Sequence, residues 1–111
     1  MTEHFNGLTP AEDELLAVLA EECAEVIQII SKIQRHGLRN YHPESREVNA
    51  YTLEREMGDV RAAMKLVCEA GIARESTIHL LADEKLKHIE RHLHHSVVPA
   101  TLNGTGRFNA E

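Results

Sequence analysis

The sequence predicts an all-α fold, a bundle of three main helices per chain that is completed by oligomerisation. Apolar residues recur at helical spacing in three segments, aromatic residues make up only 4% of the chain, and tryptophan is absent. A core of Leu, Ile, Val, Ala and Met favours packed helices over a β-sandwich. Because helices this short bury limited apolar area, self-association is a natural way to complete the core.

The first helix carries both a start signal and a stop signal. Thr9 is placed as the N-cap, Glu12 is its capping-box partner three residues on, and Pro10 occupies the first helical position. Gly37 predicts the C-terminal end. Between these signals the apolar residues follow helical spacing: Leu15, Leu16, Leu19, Val26, Ile27, Ile30 and Ile33.

Two further helices are predicted over approximately 48–70 and 74–94. Their apolar residues again recur at helical spacing, and Gly71 separates them as the stop of the second helix. The intervening segment 38–46 contains Asn, Pro and Ser, which are typical of a connecting loop.

The length of 111 residues fits one domain. The helical pattern ends at Ser96, and the following residues are rich in Gly, Asn and Thr. We therefore interpret 1–111 as a single domain with its core at 10–94, and 95–111 as a tail that is flexible or docked on a partner.

Charge and composition exclude several classes of function. A net charge of -6, from 18 acidic and 12 basic residues, argues against nucleic acid as a partner, since binding its backbone needs a basic face. No segment has the roughly 18 apolar residues of a membrane span, and the N-terminus lacks a signal peptide pattern. Cys23 and Cys68 fall in helical patterns, which indicates reduced thiols. These features predict a cytoplasmic protein without a membrane partner.

Acidic residues interrupt the apolar lines of the first two helices. Each line carries two carboxylates three residues apart, so that both lie on one side of the helix. The lines are Val18, Glu22, Glu25 and Ile29 on the first helix, and Leu53, Glu56, Val60, Ala63 and Val67 on the second, where Asp59 is one turn from Glu56.

Carboxylates at such positions are costly. A buried, isolated carboxylate costs several kcal/mol, and a neighbouring like charge raises that cost. Divalent cations held between the two helices would remove the penalty, and Mg²⁺ prefers oxygen ligands and also binds phosphates. The alternative is that these acids form a solvated face. Periodicity alone leaves the two interpretations about equal.

The acids also form a recognisable motif. Glu21-Glu22-Cys23-Ala24-Glu25 followed by Glu56-Met57-Gly58-Asp59 resembles the EExxE…ExxD signature of the MazG-like all-α nucleoside triphosphate pyrophosphohydrolases, a superfamily that includes dimeric dUTPases and dCTP pyrophosphatases. The resemblance covers approximately residues 12–93. Each half of the motif is weak by itself, whereas the two halves on successive predicted helices are specific.

The resemblance implies an activity and a set of ligands. Family members use Mg²⁺, for which Mn²⁺ can substitute, to cleave (d)NTP to (d)NMP and pyrophosphate in nucleotide-pool control or house-cleaning, and they form homodimers or homotetramers. The implied metal ligands are Glu22, Glu25, Glu56 and Asp59. Glu21 has a supporting role in the family, and either Glu21 or Glu22 would position or deprotonate the attacking water.

Substrate-binding residues are less clearly marked. The family often has a basic segment on the third helix that grips phosphates, which here points to Lys85 and Arg91. Asp83 stands where an Asn precedes the Lys in many members, a departure that concerns base recognition. Asn40 and Tyr41 in the loop can supply a hydrogen bond and a stacking surface for a nucleobase.

Two rival functions come from other classes. A ferritin-like di-iron protein would need Glu-x-x-His motifs, and no Glu in the sequence is followed by His three residues later. The second rival is a non-enzymatic helical oligomerisation or interaction module whose acidic faces are solvated.

Overall fold

The computed structural model of the protein describes residues 5–95 and is all-α, as predicted. Within these residues no β-strand forms, and the only β pairing is an isolated antiparallel bridge between Tyr41 and Val48. The predicted tail lies outside the described residues, apart from His95. The helices in chain order are α1 (Pro10–His36), α2 (Asn49–Glu69) and α3 (Glu75–His92).

The predicted signals of α1 are confirmed at both ends. The Glu12 amide donates to Thr9 Oγ1 at 3.1 Å, and the Thr9 amide donates to Glu12 Oε1 at 3.0 Å, which completes the capping box. At the other end the Gly37 amide donates to the Ile33 carbonyl at 2.7 Å. Gly37 has a φ of 91°, a conformation that residues with a side chain rarely adopt.

The second and third helices differ from their predicted bounds by one or two residues. Helix α2 begins one residue later than predicted, because Val48 is extended and serves as its N-cap without a side-chain hydrogen bond. It ends at Glu69, and Gly71 takes a φ of 81° in the turn that follows. Helix α3 begins at Glu75 rather than 74 and ends at His92 rather than 94.

Helices α1 and α2 pack against each other in one compact unit that ends at Arg74. Later residues of α1 lie beside earlier residues of α2, as in an antiparallel helical hairpin. The buried hydrophobic side chains among the described residues are few: Ile29, Ala63 and Val67. Oligomerisation of this small core stays a prediction.

The second compact unit begins at Glu75 and contains α3. None of the residues of α3 is buried. Several apolar side chains of α3 are about half exposed: Leu80, Leu81, Leu86 and Ile89. No helix within residues 5–95 combines the length and the apolar character that crossing a bilayer requires. Both cysteines are free thiols.

Candidate metal centre

Four carboxylates meet where α1 and α2 pack together. Glu22 and Glu25 come from α1, and Glu56 and Asp59 come from α2. One carboxylate oxygen from each lies within 4.8 Å of the others. The spacing of three residues explains why each helix presents both of its acids to the same region. The structure therefore brings together the four residues that the motif singled out.

Two oxygens of this group are buried without a hydrogen-bond partner among the described residues. They are Glu22 Oε1 and Glu56 Oε1, and Glu56 as a whole is only 9% exposed. A buried acceptor that lacks a donor loses its hydration without compensation. Because these oxygens lie beside other carboxylates, a bound cation would compensate both their lost hydration and their mutual repulsion.

Burial and mutual repulsion change the acidity of the group. Burial raises the pKa of Glu22 above its ordinary value, and the charges of Glu25 and Asp59 raise it further. Burial also raises the pKa of Glu56, and the charge of Glu25 raises it further. These two carboxyls therefore hold protons more firmly than exposed carboxyls do.

A set of contacts outside the group supports Glu56. Arg55 Nη1 lies 3.5 Å from Glu56 Oε2, and Arg55 Nη2 lies 2.9 Å from Glu47 Oε2. The Thr52 hydroxyl also donates to Glu47 Oε2. This hydrogen bond, followed by the bond from Arg55, lowers the pKa of Glu47. Glu47 thus stays ionised and holds the guanidinium beside one oxygen of Glu56.

The residues present fit a divalent cation. Every donor in the group is a carboxylate oxygen, which matches the preference of hard cations such as Mg²⁺ and Mn²⁺. The two unpartnered oxygens, one on each helix, give such an ion a structural reason to bind. Glu21 is exposed and is not a member of the group, and its supporting role stays a prediction.

Asn40 and Tyr41 lie in the connection between α1 and α2. They line a surface cavity that also includes Lys32 and Arg35. Asn40 Oδ1 accepts a hydrogen bond from the Tyr41 amide at 2.8 Å, so its amide nitrogen is the part left to donate to a ligand. The Arg46 guanidinium lies 5.5 Å from the centre of the Tyr41 ring and covers one of its faces.

Lys85 and Arg91 are exposed residues of α3 and belong to the second unit. Their role in phosphate binding therefore stays a prediction.

Sequence reasoning missed four polar residues around the group. Lys32 and Arg35 lie near the end of α1, where basic residues suit the helix dipole, although their spacing from Glu25 could have placed them on its side of the helix. Glu47 and Arg55 are eight residues apart across the start of α2. No sequence signal identifies that pair, because it depends on how the loop enters the helix.

The fold and the carboxylate group define an all-α protein with an acidic site between two helices. Residues 11–95 match the family described as the MazG nucleotide pyrophosphohydrolase domain, and the chain belongs to this family. The family that the acidic motif resembled is thereby confirmed. Among curated proteins and among solved structures, none matches the chain significantly.

Proposed function

We propose that this protein is a Mg²⁺-dependent pyrophosphohydrolase that cleaves a nucleoside or deoxynucleoside triphosphate to the monophosphate and pyrophosphate. The observation that carries the proposal is the four-carboxylate group with its two buried, unpartnered oxygens. Membership of the MazG family supports the reaction class. A role in nucleotide-pool control or house-cleaning follows from that class.

The proposed metal ligands are Glu22, Glu25, Glu56 and Asp59. A bound Mg²⁺ supplies charge neutralisation for the phosphate oxygens and the leaving pyrophosphate, and Mn²⁺ can take its place. Within this arrangement Glu56 offers Oε1 inward while Arg55 lies near its other oxygen. The contact with Arg55 thereby holds the Glu56 carboxylate in one orientation before an ion binds.

The proposed chemistry is attack of water on the α-phosphorus. A bond forms between the water oxygen and phosphorus, the bond from that phosphorus to the bridging oxygen breaks, and pyrophosphate leaves. Either Glu21 or Glu22 accepts the proton of the water. Glu22 lies in the carboxylate group itself, and Glu21 has the exposure that access to water requires.

Substrate contacts and assembly complete the proposal. Asn40 supplies a hydrogen bond and Tyr41 a stacking surface to the nucleobase, and Lys85 and Arg91 contact phosphates, as the family resemblance implies. The protein acts as a homodimer or homotetramer. The exposed apolar side chains support self-association, for example Ile27 at 67% and Met57 at 55% exposure.

A panel of nucleoside and deoxynucleoside triphosphates, assayed with Mg²⁺ for pyrophosphate release, tests this function. We expect turnover of at least one triphosphate and loss of activity with EDTA. Glu56→Gln should decrease kcat/KM by at least about 100-fold, because replacing a residue that only supports a metal ligand already costs about 10- to 100-fold. Glu54→Gln is the matched control, because Glu54 is an exposed acid of the same helix.

Full turnover by Glu56→Gln would contradict the proposed site. Absence of turnover across the whole panel, together with stable self-association, would favour the alternative of a non-enzymatic interaction module.

A further inference from the structure

Two cations of α1 lie beyond the carboxylates on the same side of the helix. Lys32 and Arg35 follow Glu25 by seven and ten residues, which brings them back toward its side. At about 1.5 Å per residue, Lys32 lies roughly 10 Å from Glu25 along the helix axis. The face that carries the acids therefore becomes cationic toward the C-terminal end of α1.

An open cleft of about 410 Å³ joins these cations to the carboxylate group. Glu25 and Glu56 line one part of it, and Lys32 and Arg35 line another. Its volume is within the range of small-molecule sites. Lys32 and Arg35 also line the neighbouring cavity beside the α1–α2 connection. We call these two adjoining cavities the cationic cleft.

The charges of these two cations are not neutralised by any ion pair within residues 5–95. Glu25 and Glu56 nevertheless line the same cleft as Lys32 and Arg35. Arg35 Nε donates to the Ser31 carbonyl at 3.3 Å, so its side chain turns back along α1 toward the carboxylates. This contact uses only Nε and leaves the terminal nitrogens of the guanidinium for a ligand.

The helix dipole explains only part of this arrangement. A dipole favours basic residues in the last turn of any helix, but it gives no reason for unpaired cations to share a cavity with Glu25 and Glu56. A ligand that carries several negative charges does give a reason. Its part near the carboxylates needs a divalent cation as an intermediary, whereas its part farther along α1 meets Lys32 and Arg35 directly.

We propose that Lys32 and Arg35 form an anion subsite that binds a phosphate group of the substrate, so that the substrate extends along α1 from the carboxylates toward the α1–α2 connection. This proposal rests on the proposed function and adds the direction in which the substrate lies. Lys32 acts as a mobile point charge, and the Arg35 guanidinium offers paired donors to phosphate oxygens.

Kinetics of Lys32→Gln and Arg35→Gln test the subsite. We expect KM for the preferred triphosphate to rise by about 10-fold or more in each variant, as for loss of a charge-assisted hydrogen bond, with a smaller change in kcat. Lys32→Arg should recover most of the affinity, because it restores the charge. Lys65→Gln is the control, since Lys65 is an exposed lysine of α2 that lines neither cavity of the cationic cleft.

Product inhibition locates the phosphate that is bound. Weaker inhibition by pyrophosphate in the variants would assign the subsite to the leaving end of the chain, and weaker inhibition by the nucleoside monophosphate would assign it to the α-phosphate. Unchanged KM and unchanged inhibition by both products, in folded variants, would overturn the proposal.

Calorimetric binding of inorganic triphosphate with Mg²⁺ separates this proposal from the proposed function, because it needs no turnover. Wild-type protein should bind triphosphate, and the two variants should bind it at least about 10-fold more weakly than Lys65→Gln does. Equal binding by the variants would overturn the subsite even if the enzyme is active. Absence of pyrophosphate release by a wild-type protein that binds triphosphate would overturn only the function.

Discussion

At the scale of single residues, Glu56 is a buried carboxylate whose two oxygens have different surroundings. One of its oxygens lies 3.5 Å from Arg55, and the other is buried without a hydrogen bond from any residue in the described part of the chain. Glu47 fixes Arg55 from the far side at 2.9 Å. The ion pairs thus compensate one half of the carboxylate and leave the other half for a ligand. The buried oxygen lowers the stability of the fold until a ligand binds to it.

The raised pKa of Glu56 predicts how the metal-free fold responds to pH. Between the ordinary value of 4.5 and the raised value, the folded state binds more protons than the unfolded state, so the free energy of unfolding falls as pH rises through this window. Glu56→Gln remains neutral and should escape this loss. In EDTA, its melting temperature relative to wild type should therefore increase from pH 4.5 to pH 7.5, as measured by circular dichroism.

Glu47 provides a control of opposite sign. Its pKa is lowered, so its stabilising contribution is present above 4.5 and is lost as pH falls through the lowered value. Glu47→Gln should therefore lose melting temperature relative to wild type as pH rises from about 3 to 5. A melting difference for Glu56→Gln that stays constant with pH would contradict the assigned burial of that carboxyl.

At the scale of elements, the α1–α2 connection sets how the two acidic helix faces meet. The Asn49 amide donates to the Asn40 carbonyl at 2.8 Å, and the Ala50 amide donates to the Leu38 carbonyl at 3.0 Å. Asn49 Nδ2 also donates to the Gly37 carbonyl at 3.0 Å, and the residue is 3% exposed. These bonds tie the end of α1 to the start of α2, which positions Glu25 opposite Glu56.

Replacement of Asn49 tests this link. Asn49→Ala leaves the Gly37 carbonyl without its donor and should lower the free energy of unfolding by about 1–3 kcal/mol. Urea denaturation of the metal-free protein measures the change. Thr52, whose hydroxyl contacts Glu47, is unsuitable as a control, whereas Glu54→Ala alters an exposed position of the same helix.

A smaller second effect follows from the same change. Because the link positions the two acidic faces, Asn49→Ala should also weaken the stabilisation by Mg²⁺, which Glu54→Ala should leave intact. Equal stability of Asn49→Ala and Glu54→Ala would contradict the role of this hydrogen bond.

At the scale of the whole molecule, many large apolar side chains are exposed within residues 5–95, whereas few are buried. Residues of α1 and α2 form an apolar groove, and several leucines of α3 are about half exposed. Soluble monomers rarely leave a contiguous apolar surface such as this groove open to water. The groove consists of Cys23, Val26, Ile27, Met57, Val60, Arg61 and Met64.

Self-association through this groove is therefore expected. Sedimentation velocity over a range of concentrations should show a dimer or tetramer for the wild-type protein. Ile27→Lys should shift the distribution toward monomer and lower the melting temperature, because the buried interface would have to accept a charge. Gln34→Lys places the same charge at an exposed position of α1 and serves as control. A monomeric wild-type protein at all concentrations would contradict this prediction.

The sequence by itself determined the helices and the acids of the site. Local signals sufficed for α1, because the capping box at Thr9 and the positive φ of Gly37 depend on neighbouring residues. Spacing of three residues sufficed to pair Glu22 with Glu25, since helical periodicity alone puts them on one side. The boundaries of α2 and α3 were less certain, because neither begins with a side-chain cap that the structure records.

Only the tertiary structure decided how closely these acids approach one another and which other charged residues lie beside them. The approach of Glu56 to Glu25, the hold of Glu47 on Arg55, and the cleft shared with Lys32 depend on the packing of two helices and on the path of the loop between them. The contact of Glu47 with Arg55 spans eight residues and the approach of Glu56 to Glu25 spans two helices, and helical periodicity gives neither distance. Helical periodicity predicts the side of a helix on which a residue lies. The residues of the other helix that it contacts depend on how the two helices pack.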